Sequence, residues 1–406
     1  MEIQHVPVLL LTGYLGSGKT TLLNRILANQ QGIRLAVIVN DIGEVNIDAD
    51  LIQKGGVVNT QSDSLVALQN GCICCTLKTD LIEQLHDIIA TRRFDYIVIE
   101  ASGICEPAPI AQTICSIPSY APQYAKDGIP VLDNIVSVVD ALRLRDEFAA
   151  GDDLVERDGD TVSATRQFEE EDLASLVIQQ IEFCNMILLN KAAEVSEDEL
   201  AHITQILRAI QPHAEIIPCN YCDVDLDKLL NTNLFHFDET AGSAAWIEGV
   251  EGDIDDDDDD DDHHHHHEHH DHDHHHHHED LGEAYEYGID TFVYYRRRPF
   301  DLGLFDEFVA RHWPKSVIRC KGMCYFEEEY DMCYLFEQAG KQLGIKQCGQ
   351  FIATMPKDEL EVQLATDPML RRDWDEQYGD RMQKLVFIGQ NMDREAICKA
   401  LDACLV

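Results

Sequence analysis

Positive charge is scarce in this chain. It has 31 Lys and Arg against 75 Asp and Glu, a formal net charge of −44. A nucleic-acid binder needs a basic face for the phosphates, so this balance argues against that class of partner. Part of the deficit is local. Between Glu251 and Glu283 stand sixteen acidic residues and no Lys or Arg, which leaves −28 for the rest. Long apolar runs are also missing. No stretch approaches the roughly 20 residues that a membrane span takes, so no membrane partner is expected. The N-terminal Met-Glu-Ile-Gln-His-Val-Pro-Val-Leu-Leu-Leu lacks a basic segment and a small-residue cleavage site. It reads as a first strand rather than a signal peptide. Cysteine, by contrast, is plentiful at 14 residues. Without an export signal, that number points to reduced thiols, metal ligands and a cytoplasmic location. With 406 residues, 45% of them hydrophobic, the chain has room for two or three domains.

What is present begins with Gly13-Tyr14-Leu15-Gly16-Ser17-Gly18-Lys19-Thr20-Thr21. This fits the phosphate-loop pattern G-x-x-x-x-G-K-[ST] at every defined position. The apolar run Val8 to Leu11 precedes it, and Leu22, Leu23, Ile26 and Leu27 follow at helical spacing. Strand, loop and helix are the context the motif requires. Gly13, Gly16 and Gly18 let backbone N–H groups wrap a phosphate with no Cβ in the way, and the helix start adds its positive end. Lys19 is the group for the β- and γ-phosphates, and the Thr20 hydroxyl is a Mg²⁺ ligand.

Further strands are expected at Arg34–Val39, Phe94–Glu100, Asn134–Asp140, Cys184–Leu189 and Ala214–Pro218, with helices between them. Alternation of this kind from residue 6 to about 230 predicts a parallel sheet covered on both faces, an α/β fold. Ligands then bind at the C-terminal strand ends. Asp41 lies just past the second strand, in Asn40-Asp41-Ile42-Gly43-Glu44, and is placed to approach Mg²⁺. Glu100 ends the third strand, where a carboxylate holds Mg²⁺ directly or through water. Ala101-Ser102-Gly103 follows, and Gly103 is a candidate for a loop that senses the γ-phosphate. Cys72, Cys74 and Cys75 fall within four residues, and as thiolates they suit Zn²⁺, Cu⁺ or Co²⁺. Asn190-Lys191 stands where GTPases carry N-K-x-D, but Ala193 occupies the aspartate position that reads guanine. Cys219 and Cys222 form a lone C-x-x-C, a weak metal signal.

Residues 249–283 are low in complexity, with an acidic run over Asp255–Asp262 and thirteen histidines between His263 and His278. They cannot fold by hydrophobic burial and read as a disordered, metal-binding linker. From Tyr287 onward, strands at Ile289–Tyr295, Val317–Phe326, Met332–Glu337 and Leu385–Ile388, with helices at Leu302–His312 and Arg394–Cys404, predict a small α+β domain. Its helices should lie on one face of a mostly antiparallel sheet, with Cys320, Cys324 and Cys333 in the core.

The motifs, taken in order, resemble those of the CobW-like P-loop GTPases. They are Gly13 to Thr21, Asn40-Asp41-Ile42-Gly43-Glu44-Val45, Gly71-Cys72-Ile73-Cys74-Cys75, Glu100-Ala101-Ser102-Gly103 and Asn190-Lys191. The stretch from Gly379 to Gly389 is similar to the signature near the end of that family's C-terminal domain. The resemblance implies a P-loop GTPase domain over 1–235 and a CobW-like C-terminal domain over 287–406. It implies GTP hydrolysis coupled to delivery of a metal to a client protein, with guanine nucleotide and Mg²⁺ bound. Gly13, Gly16, Ser17, Gly18, Lys19, Thr20, Thr21, Asn190 and Lys191 would hold the nucleotide. Lys19, Thr20, Glu100 and Gly103 would serve hydrolysis. Thr20, Asp41 and Glu100 would serve Mg²⁺, and Cys72, Cys74 and Cys75 the cargo. Zinc suits cysteine with histidine best, with cobalt and nickel as alternatives, and a homodimer is among the expected assemblies. The rival expectation is a metal-buffering protein in which the histidine tract does the main work and the nucleotide site is regulatory. A third is a metal-dependent ATPase unrelated to delivery.

Overall fold

The computed structural model describes residues 4–28, 32–39, 65–67, 78–120, 122–123, 127–148, 176–237, 240, 244, 247, 288–339 and 342–406. Seven strands form the first sheet. They are β1 (His5–Thr12), β2 (Leu35–Val39), β3 (Leu65–Ala67), β4 (Tyr96–Glu100), β5 (Ile129–Asp140), β6 (Met186–Asn190) and β7 (Glu215–Pro218). Their spatial order is β3-β2-β4-β1-β5-β6-β7, and every pairing is parallel. β2, β4 and β6 are buried along their whole length, as strands with helices on both faces must be. Sequence patterning finds six of the seven. β3 is three residues long, too short for any periodicity to register.

The helices of this part are α1 (Lys19–Leu27), α2 (Lys78–Ala90), α3 (Pro107–Tyr120), α4 (Ala141–Phe148) and α5 (Glu197–Ile210), with a further helical stretch over 176–182. α1 packs Leu22, Leu23 and Ile26 into the cluster made by Leu9, Leu11, Val37 and Val98. Each such side chain taken from water contributes roughly 1.5–3 kcal/mol. α5 starts with a capping box, for which Ser196-Glu197-Asp198-Glu199 carries the S-x-x-E pattern. Ser196 Oγ accepts from the Glu199 N–H at 3.3 Å, and Glu199 Oε2 accepts from the Ser196 N–H at 2.7 Å.

β1 runs between β4 and β5, with Leu11 opposite Glu100 and Thr12 opposite Ser137. The chain leaves β1 toward β2 and β3 on one side and returns through β4 to build β5, β6 and β7 on the other. The strand order therefore reverses beside β1, and the crevice for a ligand opens at its C-terminal end.

The second sheet has the order β11-β10-β9-β12-β8, from β8 (Ile289–Arg296), β9 (Val317–Cys324), β10 (Met332–Ala339), β11 (Gln342–Gln350) and β12 (Gln383–Gln390). β12 pairs antiparallel with both β8 and β9. Its core is aromatic, with Phe292 and Phe387 stacked at 4.9 Å. Helices Leu302–His312 and Arg394–Asp402 add Phe305, Phe308, Ile397 and Leu401 to that core. Cys320, Cys324 and Cys333 are buried, as expected of core cysteines. β11 and the helix Lys357–Thr366 are absent from the sequence reading. Both are exposed along nearly their whole length, so neither carries a strong apolar stripe.

Away from the strand ends that face the crevice, Tyr96 Oη donates to Asp133 Oδ2 at 2.5 Å across β1, and the Asn233 N–H donates to Oδ1. Asp133 is 5% exposed. Asp133→Ala leaves the buried Tyr96 O–H without its acceptor and takes the carboxylate from the Asn233 N–H. It is expected to destabilise the protein by about 2–4 kcal/mol, read as a lower thermal midpoint, while nucleotide affinity at the opposite end of the sheet is unchanged.

Candidate functional site

The phosphate loop needs its glycines for two different reasons. Gly13, Gly16 and Gly18 all have positive φ, at 136°, 80° and 119°. A Cβ on Gly13 would lie 2.3 Å from the Val138 carbonyl oxygen, and one on Gly18 would lie 2.4 Å from Asn190 Nδ2. At Gly16 there is open space, so backbone conformation alone sets the requirement. Ser17 N–H closes the loop onto Tyr14 O at 3.2 Å. α1 begins at Lys19 with Gly18 as its N-cap and no side chain capping it. That leaves the helix start to an anion, which its dipole favours. Lys19 Nζ donates to Gly13 O at 2.7 Å and to Tyr14 O at 3.2 Å. The ammonium thus lies across the loop it would share with a phosphate. Ser17 is buried, and its Oγ has no hydrogen-bond partner among the described residues. Thr20 and Thr21 occupy the first turn, with Thr21 exposed.

Glu100 ends β4 at 1% exposure, beside Leu11 of β1 and Val39 of β2. Its carboxylate and the Thr20 hydroxyl are hard oxygen donors, the chemistry that fits Mg²⁺. The following loop lies on the phosphate loop. A Cβ on Gly103 would meet Leu15 Cγ at 2.8 Å and Leu15 N at 2.9 Å. Gln180 holds this loop, its Nε2 donating to Cys105 O at 3.1 Å and to Gly103 O at 3.3 Å.

On the other side of β1, Asn190 ends β6 and is 4% exposed. Its Nδ2 donates to Ser17 O at 2.8 Å, and its Oδ1 accepts from the Cys222 N–H at 3.0 Å. Lys191 is left-handed at φ 60° and forms an ion pair with Asp140, the last residue of β5. The other Asp140 oxygen caps α4, accepting from the Leu142 and Arg143 N–H groups at 3.0 and 3.3 Å. Ala193, at the aspartate position, has its N–H bonded to Asn220 Oδ1 at 2.8 Å.

Sequence reasoning named Gly13 to Thr21, Glu100, Gly103, Asn190 and Lys191, and the structure gathers them at one end of the first sheet. It missed Asp140, Gln180 and Asn220, and it gave the pair Cys219 and Cys222 only as a weak metal signal. Asp140 had a signal, since it ends an expected strand beside the phosphate loop. The C-x-x-C follows the last strand for the same topological reason. Arg143 lies over the Tyr14 ring at 4.1 Å, which brings a cation to the loop that sequence alone did not indicate. Asp41, Cys72, Cys74, Cys75 and the histidine tract lie outside the described residues. Among the described residues, no group of three or more His, Cys, Asp or Glu side chains is arranged to hold a metal, and no helix is long and apolar enough to cross a membrane.

The contact of Gly18 with Asn190 generates a direct test. Gly18→Ala would force the Asn190 amide off Ser17 and strain the loop backbone. Fluorescent nucleotide titration is expected to show affinity weaker by about tenfold or more.

Residues 7–218 match the family model described as CobW/HypB/UreG, nucleotide-binding domain, and residues 289–405 match the cobalamin synthesis protein cobW C-terminal domain. The zinc-regulated GTPase metalloprotein activator 1 of Dictyostelium discoideum is 34% identical over 413 residues, covering 99% of this chain and 80% of that one. The zinc chaperone YjiA of Escherichia coli K12 is 33% identical over 59% of this chain and 65% of its own length. The crystal structure of Zn(II)-bound YjiA GTPase from E. coli aligns with a TM-score of 0.41 at 20% identity, covering 100% of both chains. With a phosphate loop, a buried carboxylate at the neighbouring strand end and two family models matched in sequence order, this chain belongs to the CobW/HypB/UreG family of P-loop GTPases and carries a CobW C-terminal domain.

Proposed function

We propose that this chain is a GTP-hydrolysing metallochaperone whose cargo is zinc, bound at Cys72, Cys74 and Cys75 and passed to a client protein in a nucleotide-dependent way. The observation that carries the reading is the placement of the Gly103 loop. It lies against Leu15 of the phosphate loop with no room for a Cβ. A loop so placed responds to what the cradle holds, and it follows the cysteine motif in the chain. The relatives named zinc chaperone and zinc-regulated GTPase support zinc as the cargo.

In this reading the backbone of Gly13 to Gly18 and the start of α1 bind the phosphates. Lys19 moves its ammonium from the Gly13 and Tyr14 carbonyls to the β- and γ-phosphates. Thr20 and Glu100 would hold Mg²⁺, which would supply charge neutralisation at the phosphate oxygens. Asn190 and Lys191 form the base side. Asp140 fixes Lys191 in place of any base-edge aspartate. Loss of the γ-phosphate frees the Gly103 loop and loosens the thiolate site. By linkage, metal and nucleotide affinities then shift each other by the same factor.

Two tests follow. Zinc affinity of the full chain, measured against a competing chelator, is expected to change by about tenfold between a non-hydrolysable GTP analogue and GDP. The effect should vanish in Cys74→Ser. Equal affinity in every nucleotide state overturns coupling and favours buffering by the histidine tract. Separately, Asp140→Asn keeps an oxygen to cap α4 but removes the charge opposite Lys191. It is expected to weaken GDP binding by about fivefold with the thermal midpoint held.

A further inference from the structure

The C-x-x-C after β7 packs in the core behind the phosphate loop. Tyr221 and Cys222 are left-handed at φ 54° and 52°, and Asp223 N–H donates to Asn220 O at 3.1 Å. That is a type I′ turn, which folds Cys222 back toward Cys219. α1 clamps the turn from outside through Arg25, whose Nε donates to Tyr221 O at 2.7 Å and whose Nη1 donates to Asp223 Oδ1 at 2.6 Å. Inside, both cysteines converge on the Asn190 carboxamide. The Cys222 N–H and the Cys219 Sγ lie 3.0 and 3.9 Å from its Oδ1. The Cys222 Sγ is also 3.4 Å from the carbonyl oxygen of Gly18, at the heart of the phosphate loop.

The two thiols are unequal. They hydrogen-bond to each other, and with Cys222 as donor the Cys219 thiol is held below the ordinary range while Cys222 is pushed up. The Arg25 guanidinium adds to the lowering at Cys219. Cys219 keeps 6% of its surface and Cys222 none. Both are buried, and a more acidic thiol with a second cysteine folded back on it by a tight turn is the arrangement of an attacking and a resolving cysteine.

We propose that Cys219 and Cys222 are a redox modification site that takes hydroperoxides and sets nucleotide affinity. The Cys219 thiolate attacks the hydroperoxide. An S–O bond forms, the O–O bond breaks, and the alcohol, or water from hydrogen peroxide, leaves with a proton. The Cys222 sulfur then attacks Cys219. The S–S bond forms, the S–O bond breaks, and water leaves with the remaining thiol proton. Two thiols are oxidised and one hydroperoxide is reduced. The disulfide removes the Cys222 S–H, which the Cys219 sulfur and Gly18 O share, and draws Cys222 away from Asn190. Asn190 holds Ser17, so the phosphate loop loses its brace.

The effect on affinity rests on the proposed guanine-nucleotide site, whereas the oxidation itself does not. The test uses the full chain. Trypsin releases residues 209–228 as one peptide between Arg208 and Lys228, and its only cysteines are Cys219 and Cys222. After hydrogen peroxide and thiol alkylation, this peptide is expected to be unalkylated and lighter than its reduced form by two hydrogens. Affinity for a fluorescent GDP should fall by about fivefold, and dithiothreitol should restore it. In Cys219→Ser the ratio of affinities before and after peroxide should stay near one. A peptide that stays reduced overturns the proposal. So does a disulfide that leaves affinity unchanged, or an equal loss in Cys219→Ser, which would assign the effect to other thiols. If the reduced chain binds no guanine nucleotide, the nucleotide reading fails while the peptide mass still reports on the thiol pair.

Discussion

The Asn190 carboxamide is the joint on which the nucleotide end of the first sheet depends. Its Nδ2 reaches Ser17 O, 173 residues away in sequence, and its Oδ1 takes the Cys222 N–H, 32 residues away. A buried amide left without partners costs about 1–3 kcal/mol. The phosphate loop, the end of β6 and the turn after β7 are therefore fixed against one another or not at all. The bare Cα of Gly18 is a consequence, since only hydrogen leaves room for the amide at 2.4 Å.

The same bond orients the cradle. The peptide unit is planar and trans, so the carbonyl of Ser17 and the N–H of Gly18 point in opposite directions. Holding that carbonyl on Asn190 turns the Gly18 N–H away from it, toward the inside of the loop. A donor is thus aimed before any phosphate arrives, and nothing has to reorganise to meet the charge. Lys19 uses the opposite device. Its ammonium rests on two loop carbonyls, Gly13 O and Tyr14 O, and can exchange them for phosphate oxygens without losing its own solvation.

Much of this was legible in the residues, and the boundary of legibility has physical causes. Patterns that repeat along one element announced themselves. The buried strands, the loop glycines and the Ser196–Glu199 capping box are all local. The aromatic sheet of the second part was legible through alternation, although its exposed strand Gln342–Gln350 was not. What stayed hidden was pairing across elements. Asp140 with Lys191, Gln180 with the Gly103 loop and Cys222 with Gly18 join residues 51, 77 and 204 apart. No spacing rule relates such positions until the strand order is known. Cys219 and Cys222 show the cost of judging a motif alone, since two cysteines suggest a weak metal site until Asn190 is set between them.

Ala193 is the remaining puzzle of the sequence, and the structure reduces it to a question of charge. In an N-K-x-D motif the aspartate both reads the base and lies near the lysine. Here the lysine's counter-charge comes from Asp140, on a different strand, with its side chain 14% exposed. Asp140 is itself fixed, because its second oxygen closes the first turn of α4. The backbone N–H of Ala193 is taken by Asn220. The two supports keep Lys191 in its left-handed conformation without any contribution from the side chain at position 193. In the proposed reading, holding the base by the lysine is therefore separable from reading its edge. Loss of the motif aspartate would then remove a reader of guanine and leave the Asn190 and Lys191 side of the site standing.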